Sequence, residues 1–409
     1  MKFLAVDTIQ NARQQLLEQT TNWILKPEIV SLQNALGRVI FEDIISEEDI
    51  PSFRRSTVDG YAVVCKDTQA AGDALPAFLN FLGSVEIGEA TDIKVASGTC
   101  CEVPTGGMLP EGADAVVMLE YCENFGDDGI AVYKSISNGE NVVNAGDDIT
   151  VGKILLRSGN VLRPQDIGAL AAAGKQYVTV FAAPRLSLIS TGDELAALNE
   201  DAIFGKVRDV NSYALAALAE KNGFSVISSE VLPDDEKLLT YSIQKAMLLS
   251  DIIIISGGSS VGKKDNTAKI IDKIASEGVN THGLALKPGK PTILGYDALS
   301  KTVLAGLPGH PVSAFIVFEL LFGWLIKELS GASEKAALPA RLTHNIAASP
   351  GKLTCCLCKL TWVNDCYEAE PVLYKSGLIT SLTVADGYFL IEKDIEGFVA
   401  GQIVLVTLL

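Results

Sequence analysis

The 409-residue chain has no long apolar run, no excess of basic charge and no second cysteine pair to complete a zinc site. Its longest apolar stretch, AFIVFELLFGWLI at 314–326, is too short to cross a bilayer and contains Glu319. It predicts a buried or interface helix and no membrane partner. The N-terminus, MKFLAVDTIQNARQQLLEQ, lacks a basic region followed by an apolar core, which speaks against a signal peptide. Leu4, Ile9, Leu16 and Leu17 instead space an amphipathic helix. Lys and Arg number 33 against 50 Asp and Glu, a net charge of −17, so nucleic acid is a poor partner. Eight cysteines without an export signal point to a reducing cytoplasm. Cys355 and Cys358 make C-x-x-C, but no nearby His joins them, and the strand-like LTCCLCKLTWV predicts small core residues.

What is present suits a globular chain of about two to four domains: hydrophobic residues are 48% and charged residues 20% of the composition. The reading is multidomain α/β. Residues 1–45 look helical, with VSLQNALGRVI as a second helix, and together with 146–176 they form a helical linker domain. Residues 46–145 alternate short apolar stretches with Gly, Pro and Asp turns, a β-rich inserted domain. Over 177–332 strands alternate with helices, the pattern of a doubly wound parallel sheet. Residues 333–409 form another small all-β unit.

The centre of this pattern is DIIIISGGSSVGKKD at 251–265. Four isoleucines predict a strand buried on both faces. Glycines follow, then a helix with Asp265 as its N-cap. Strand, glycine-rich turn and helix present backbone N–H groups to an anion. Gly257 to Lys263 also fits the start of a Walker loop, but Lys264 stands where a Mg²⁺-binding Ser or Thr belongs. Ligands of doubly wound sheets bind at the carboxyl ends of strands. Four such ends carry polar loops: Thr191-Gly192-Asp193-Glu194, the Gly257–Asp265 turn, Lys287-Pro288-Gly289-Lys290-Pro291, and Pro308-Gly309-His310-Pro311 followed by Ser313. They are expected to converge on one oxyanion-binding cleft. Taken singly, Asp193 and Asp265 read equally as helix caps, the lysines as surface residues and His310 as structural. Carboxylates in an anion cleft call for a divalent cation, most simply Mg²⁺.

These loops resemble a known family. STGDEL at 190–195, SGGSSVGKKD at 256–265, KPGKP at 287–291 and GLPGHPVSA at 306–314 are similar to the molybdopterin molybdenumtransferases, the MoeA and gephyrin E-domain family. PSFRRSTVDGYAV at 51–63, PTGGMLPEGADAVV at 104–117 and AGDDI at 145–149 resemble that family's other signatures, in order along nearly the whole chain. The resemblance implies a doubly wound domain of molybdopterin-binding type, a C-terminal small β-barrel and an elongated homodimer whose cleft lies between the α/β domain of one subunit and the β insertion of the other. It implies an enzyme of molybdenum cofactor biosynthesis. Adenylated molybdopterin and molybdate enter, AMP leaves and Mg²⁺ assists; a molybdopterin adenylyltransferase acts upstream and molybdoenzyme maturation downstream.

Carried over by matching motif, the acidic residues are Asp59, Asp148, Glu194, Asp234 and Asp265, with Glu194 and Asp265 on the metal. Thr191, Gly192, Asn211, Ser212, Gly257, Gly258 and Ser260 would cradle adenylate and pterin phosphate, and Thr105, Gly106 and Asp193 are further substrate-binding positions. Lys287, Lys290, Pro308, His310, Pro311 and Ser313 match the region that holds molybdate, and Ser376 and Ser381 fall near it. The chain departs from the pattern at His310, where Asn is usual, at Asn266, where an aromatic is common, and at Lys359, in place of an Arg. A non-catalytic scaffold of gephyrin type and a tungstate-preferring paralogue are the alternatives.

Overall fold

The computed structural model describes residues 6–20, 26–126, 129–196, 198–199, 205–257, 264–332, 336–373 and 375–409. Its centre is a six-stranded sheet in the order Ser225–Leu232, Arg185–Thr191, Ile252–Gly257, Thr302–Leu307, Ile293–Asp297, Val279–His282. The first four strands pair in parallel, and Ile293–Asp297 runs against both of its neighbours. The isoleucine strand shows why the sheet is covered twice. Ile252 and Ile254 pack into one core with helices Ile9–Thr20, Asn211–Lys221 and Pro311–Phe318. Ile253 and Ile255 pack into another, with helices Glu236–Met247 and Lys264–Ile274. Side chains alternate across a strand, so four consecutive isoleucines need a helical layer on each face.

The C-terminal unit is a closed five-stranded barrel. Leu353–Val363 pairs with both Cys366–Pro371 and Gly387–Ile391, and the ring closes through Leu338–Leu342 and Ile403–Leu408. Closure removes the exposed edges that a small sheet would otherwise present. The inserted unit holds a second six-stranded sheet, Ala115–Met118, Gly60–Val63, Thr99–Val103, Ala77–Ser84, Gly129–Val132, Cys122–Asn124, with apolar residues on both faces. A further core gathers Ala35, Ile40, Leu156, Leu162, Leu170, Val178 and Val180.

Several expectations need correction. VSLQNALGRVI is not a helix: Val30 and Ser31 end the strand Pro27–Ser31, which pairs with Tyr177–Phe181, and only the 3-10 turn Leu32–Asn34 follows. Gly37, at φ +76°, reverses the chain there. The helix after the glycine turn begins at Lys264, so Asp265 stands in its first turn rather than at its cap. The KPGKP loop lies between two strands of the central sheet, Val279–His282 and Ile293–Asp297, but does not follow directly on either. Lys287 belongs to the short strand Leu286–Lys287, which pairs in parallel with Leu353–Thr354 of the barrel. The reversed strand Ile293–Asp297 was hidden in PTILGYD, where Pro291 and Gly295 mask its apolar pattern. Among the described residues, no helix is long and apolar enough to cross a membrane.

Candidate functional site

A cleft of about 670 Å³ opens where the α/β sheet meets the barrel. Lys287 and Lys290 enter from the loop tied to the barrel, and Pro308, His310 and Ser313 from the loop after Thr302–Leu307. Lys352, Thr354 and Cys356 come from the barrel, and Ser376 from the connection between its strands Cys366–Pro371 and Gly387–Ile391. Gly289 explains why the KPGKP loop can seat this low. Its φ is +128°, and a Cβ there would lie 2.6 Å from the Val317 side chain. His310 Nδ1 and Ser376 Oγ are hydrogen-bonded at 2.7 Å, and the Val312 N–H donates to the Ser376 carbonyl at 3.2 Å. Among the described lining residues there are three lysines and no Asp or Glu. In a chain of net charge −17 this is a local excess of positive charge, suited to an anion.

A second group lies beside it at the ends of the parallel strands. Gly257, at φ +131°, brings its backbone against Thr191; a Cβ would fall 2.0 Å from the Thr191 carbonyl oxygen. Gly192 lies under the Glu194 carboxylate, whose atoms would come within 2.8 Å of an added Cβ. The Asp234 N–H donates to Asp193 Oδ1 at 3.0 Å, and the Lys206 ammonium to the Asp193 carbonyl. Thr191 and Asp234 share a small cavity with Asn266 and Thr267. Pro308 lines both the main cleft and a narrow cavity reaching Gly257.

Behind these loops runs a buried polar chain. Asn211 Nδ2 donates to Ser256 Oγ at 2.6 Å and to the Gly309 carbonyl at 2.9 Å. Asp209 Oδ1 accepts from Ser190 Oγ at 3.3 Å and from the Ser212 N–H at 3.2 Å, while Ser190 and Ser212 hydroxyls meet at 2.9 Å. Asn211 thereby fastens two strand ends together. Both its N–H bonds are committed, and its buried Oδ1 is left as an acceptor.

Asp59, Thr105 and Gly106 sit on the inserted unit. The Thr105 N–H donates to Asp59 Oδ1 at 2.6 Å, and that bond holds the Asp59 carboxyl below the usual range. Asp148 is exposed, its N–H bonded to the Ile50 carbonyl. Pro311 opens the helix Pro311–Phe318, and Ser381 spends its hydroxyl on the Leu378 carbonyl within its own turn. Gly258, Ser260 and the Asp265 side chain lie outside the described residues.

Lys352 and Asp209 escaped the sequence reading. Lys352 belongs to no loop motif, and it is the pairing of Leu353–Thr354 with Leu286–Lys287 that sets it beside the cleft. Asp209 carried a faint signal, an acidic residue three positions before Ser212 at a helix start. Lys359, suspected of facing the oxyanion, pairs with Glu370 along the barrel and does not line the cleft. The C-x-x-C residues face opposite ways: Cys355 packs into the α/β core and Cys358, pushed up to about 12 by burial, into the barrel. They are core residues.

The fold and site define a class: a doubly wound domain whose strand ends and a flanking barrel enclose an anion cleft. Comparisons with known proteins narrow it. Residues 7–174 match the family described as MoeA N-terminal region (domain I and II), 187–327 the probable molybdopterin binding domain and 339–409 the MoeA C-terminal region (domain IV). A molybdopterin molybdenumtransferase of Haemophilus influenzae is 33% identical over 350 residues, 85% of this chain and 84% of that protein. One from Staphylococcus aureus is 30% identical over 404 residues, 98% of this chain and 95% of its own. The crystal structure of the molybdopterin biosynthesis moeA protein from Pyrococcus horikoshii OT3 superposes with a TM-score of 0.81 at 32% identity, covering 99% of this chain and 100% of that one. The chain belongs to the MoeA family.

Proposed function

We propose that the protein is a molybdopterin molybdenumtransferase that takes molybdate and adenylated molybdopterin and releases AMP. The observation that carries this is the cleft at the barrel junction, where Lys287, Lys290 and Lys352 surround a space free of carboxylates among the described residues. Ammonium groups and hydroxyls suit a tetrahedral dianion. The neighbouring group at Thr191, Gly192 and Gly257 offers close backbone approach, which suits a phosphoanhydride. Water opens that anhydride to AMP and the pterin phosphate. The two dithiolene sulfurs displace two molybdate oxygens, which leave as water with protons from the thiols and solvent. In this reading Lys287, Lys290, His310, Ser313 and Ser376 hold the oxyanion. Asn211 and Asp209 brace the loops between the two substrates.

Mg²⁺ fits the residues present. Glu194 is an exposed hard-oxygen donor folded over Gly192, and Mg²⁺ needs only one or two carboxylates beside waters and phosphates. Glu194 and Asp265 would hold it, and its charge would offset that of the anhydride. Asp59, Thr105, Gly106 and Asp148 lie on the inserted and linker units, so a homodimer in which they complete the partner's cleft gives them a place. Within the cell the protein would work in the cytoplasm, between an adenylyltransferase and the maturation of molybdoenzymes.

Mixing variants tests this arrangement. Asp59→Asn and Lys290→Ala are each expected to be inactive in AMP release. Unfolded and refolded together, half of the dimers are mixed and carry one intact site of two, so about a quarter of wild-type activity returns. A mixture as inactive as its parts contradicts the shared site.

A further inference from the structure

His310 stands in the cleft with its Nδ1 2.7 Å from Ser376 Oγ. Both residues line the space bounded by the lysines, and the imidazole is exposed to it. The bond has two senses. A neutral imidazole that carries its proton on Nε2 accepts the serine proton at Nδ1, and the Ser376 hydroxyl is then used up. An imidazolium has a proton on each nitrogen, so Nδ1 must donate and Ser376 Oγ must accept. The serine proton is then released to point into the cleft. Protonation of the Nε2–H ring thus adds a positive charge and frees a hydroxyl donor at the same place, while protonation of the Nδ1–H ring adds the charge alone.

We propose that the His310–Ser376 pair makes oxyanion binding in this cleft proton-dependent, with the protonated pair as the tight-binding form. The inference rests on the oxyanion reading of the cleft given above. The other charged or titratable groups lining the cleft with the pair are Lys287 and Lys290 on the KPGKP loop and Lys352, Cys355 and Cys356 on the barrel; the exposed Lys375 precedes Ser376 in the chain. Burial pushes the Cys355 thiol up and the Cys356 thiol up to about 11, so both stay neutral through the neutral range. Of the residue types in this set, histidine alone ordinarily changes charge between about pH 6 and 8. No carboxylate among the described lining residues competes for the imidazolium. With the bond satisfied in either sense, the switch needs only a proton and a hydroxyl rotation.

The test is equilibrium binding of molybdate, and separately of tungstate, to the intact protein at about pH 6, 7 and 8. Wild type is expected to lose about tenfold in affinity across that range, the worth of one charge-assisted hydrogen bond. His310→Asn is expected to bind at pH 6 about as weakly as wild type at pH 8, and to vary less than about twofold. His310→Gln serves as a second replacement and should be equally flat. A flat wild-type profile, or a slope that both replacements keep, overturns the proposal. Lys287→Ala reads the cleft itself. Binding that this variant weakens but that is independent of pH refutes the switch and leaves the cleft standing; no oxyanion binding in any protein refutes both.

Discussion

Asn211 is the residue on which the geometry of the two substrate regions turns. Its single amide group ties the end of the isoleucine strand, through Ser256, to Gly309 of the loop that lines the cleft. Replacing it with alanine leaves the Gly309 carbonyl without that donor and removes the buried bond to Ser256. Asn211→Ala is expected to lower stability by about 2 kcal/mol in denaturant unfolding, within the range for a buried polar group left unsatisfied. It should also weaken oxyanion and adenylate binding together, since both loops shift. Asp59 makes a different kind of contact. The Thr105 N–H holds its carboxyl below the ordinary value, so the charged form is the one the fold prefers. A folded value below the unfolded one means that this contribution is fully present above the unfolded value, about 3.9. It is lost as pH falls through the lower, folded value. The Thr105 amide resonance should therefore titrate with a midpoint below the ordinary range, and Asp59→Asn should abolish the titration. A midpoint at or above that range contradicts the reading.

Among the elements, the isoleucine strand was legible because its pattern is unambiguous: four branched apolar residues between Asp251 and Ser256 leave no polar face for solvent. The motif loops were legible too, because glycine and proline leave a local mark. Elements defined by distant partners were not. VSLQNALGRVI has helical spacing, yet its first residues satisfy their backbone groups by pairing with Tyr177–Phe181, far along the chain. Ile293–Asp297 is a strand because Thr302–Leu307 and Val279–His282 flank it, which no local pattern announces. Lys352 reaches the cleft for the same reason, through the pairing of Leu353–Thr354 with the distant Leu286–Lys287. The strand Leu353–Val363 makes a further prediction. Its alternation sends Cys355 and Cys358 to different cores, and burial pushes Cys358, like Cys100 in the inserted sheet, up to about 12. Such thiols carry almost no thiolate at neutral pH. A thiol-directed reagent at about pH 8 should leave Cys100, Cys101 and Cys358 unlabelled until the protein is denatured. Fast native labelling of Cys358 would contradict the core assignment.

At the scale of the whole molecule, a strongly acidic chain keeps one concave region positive by drawing on three separate parts of its sequence. The sheet supplies the strand-end loops, the barrel's start supplies Lys352 and the wall opposite, and the connection between its strands Cys366–Pro371 and Gly387–Ile391 supplies Ser376. None of the three forms the cleft alone. This explains why the motifs are scattered over the sequence, and why the MoeA-type domains recur together in relatives that match nearly the full chain. In the proposed function these parts meet to bring molybdate to an adenylated pterin. The most direct test is AMP release from adenylated molybdopterin in the presence of Mg²⁺, with molybdate, with tungstate and with neither, followed by metal analysis of the pterin product. The account predicts AMP release that depends on the oxyanion, with the metal recovered on the pterin. Release that is indifferent to the oxyanion, or tight pterin binding with neither AMP nor metal transferred, would contradict it.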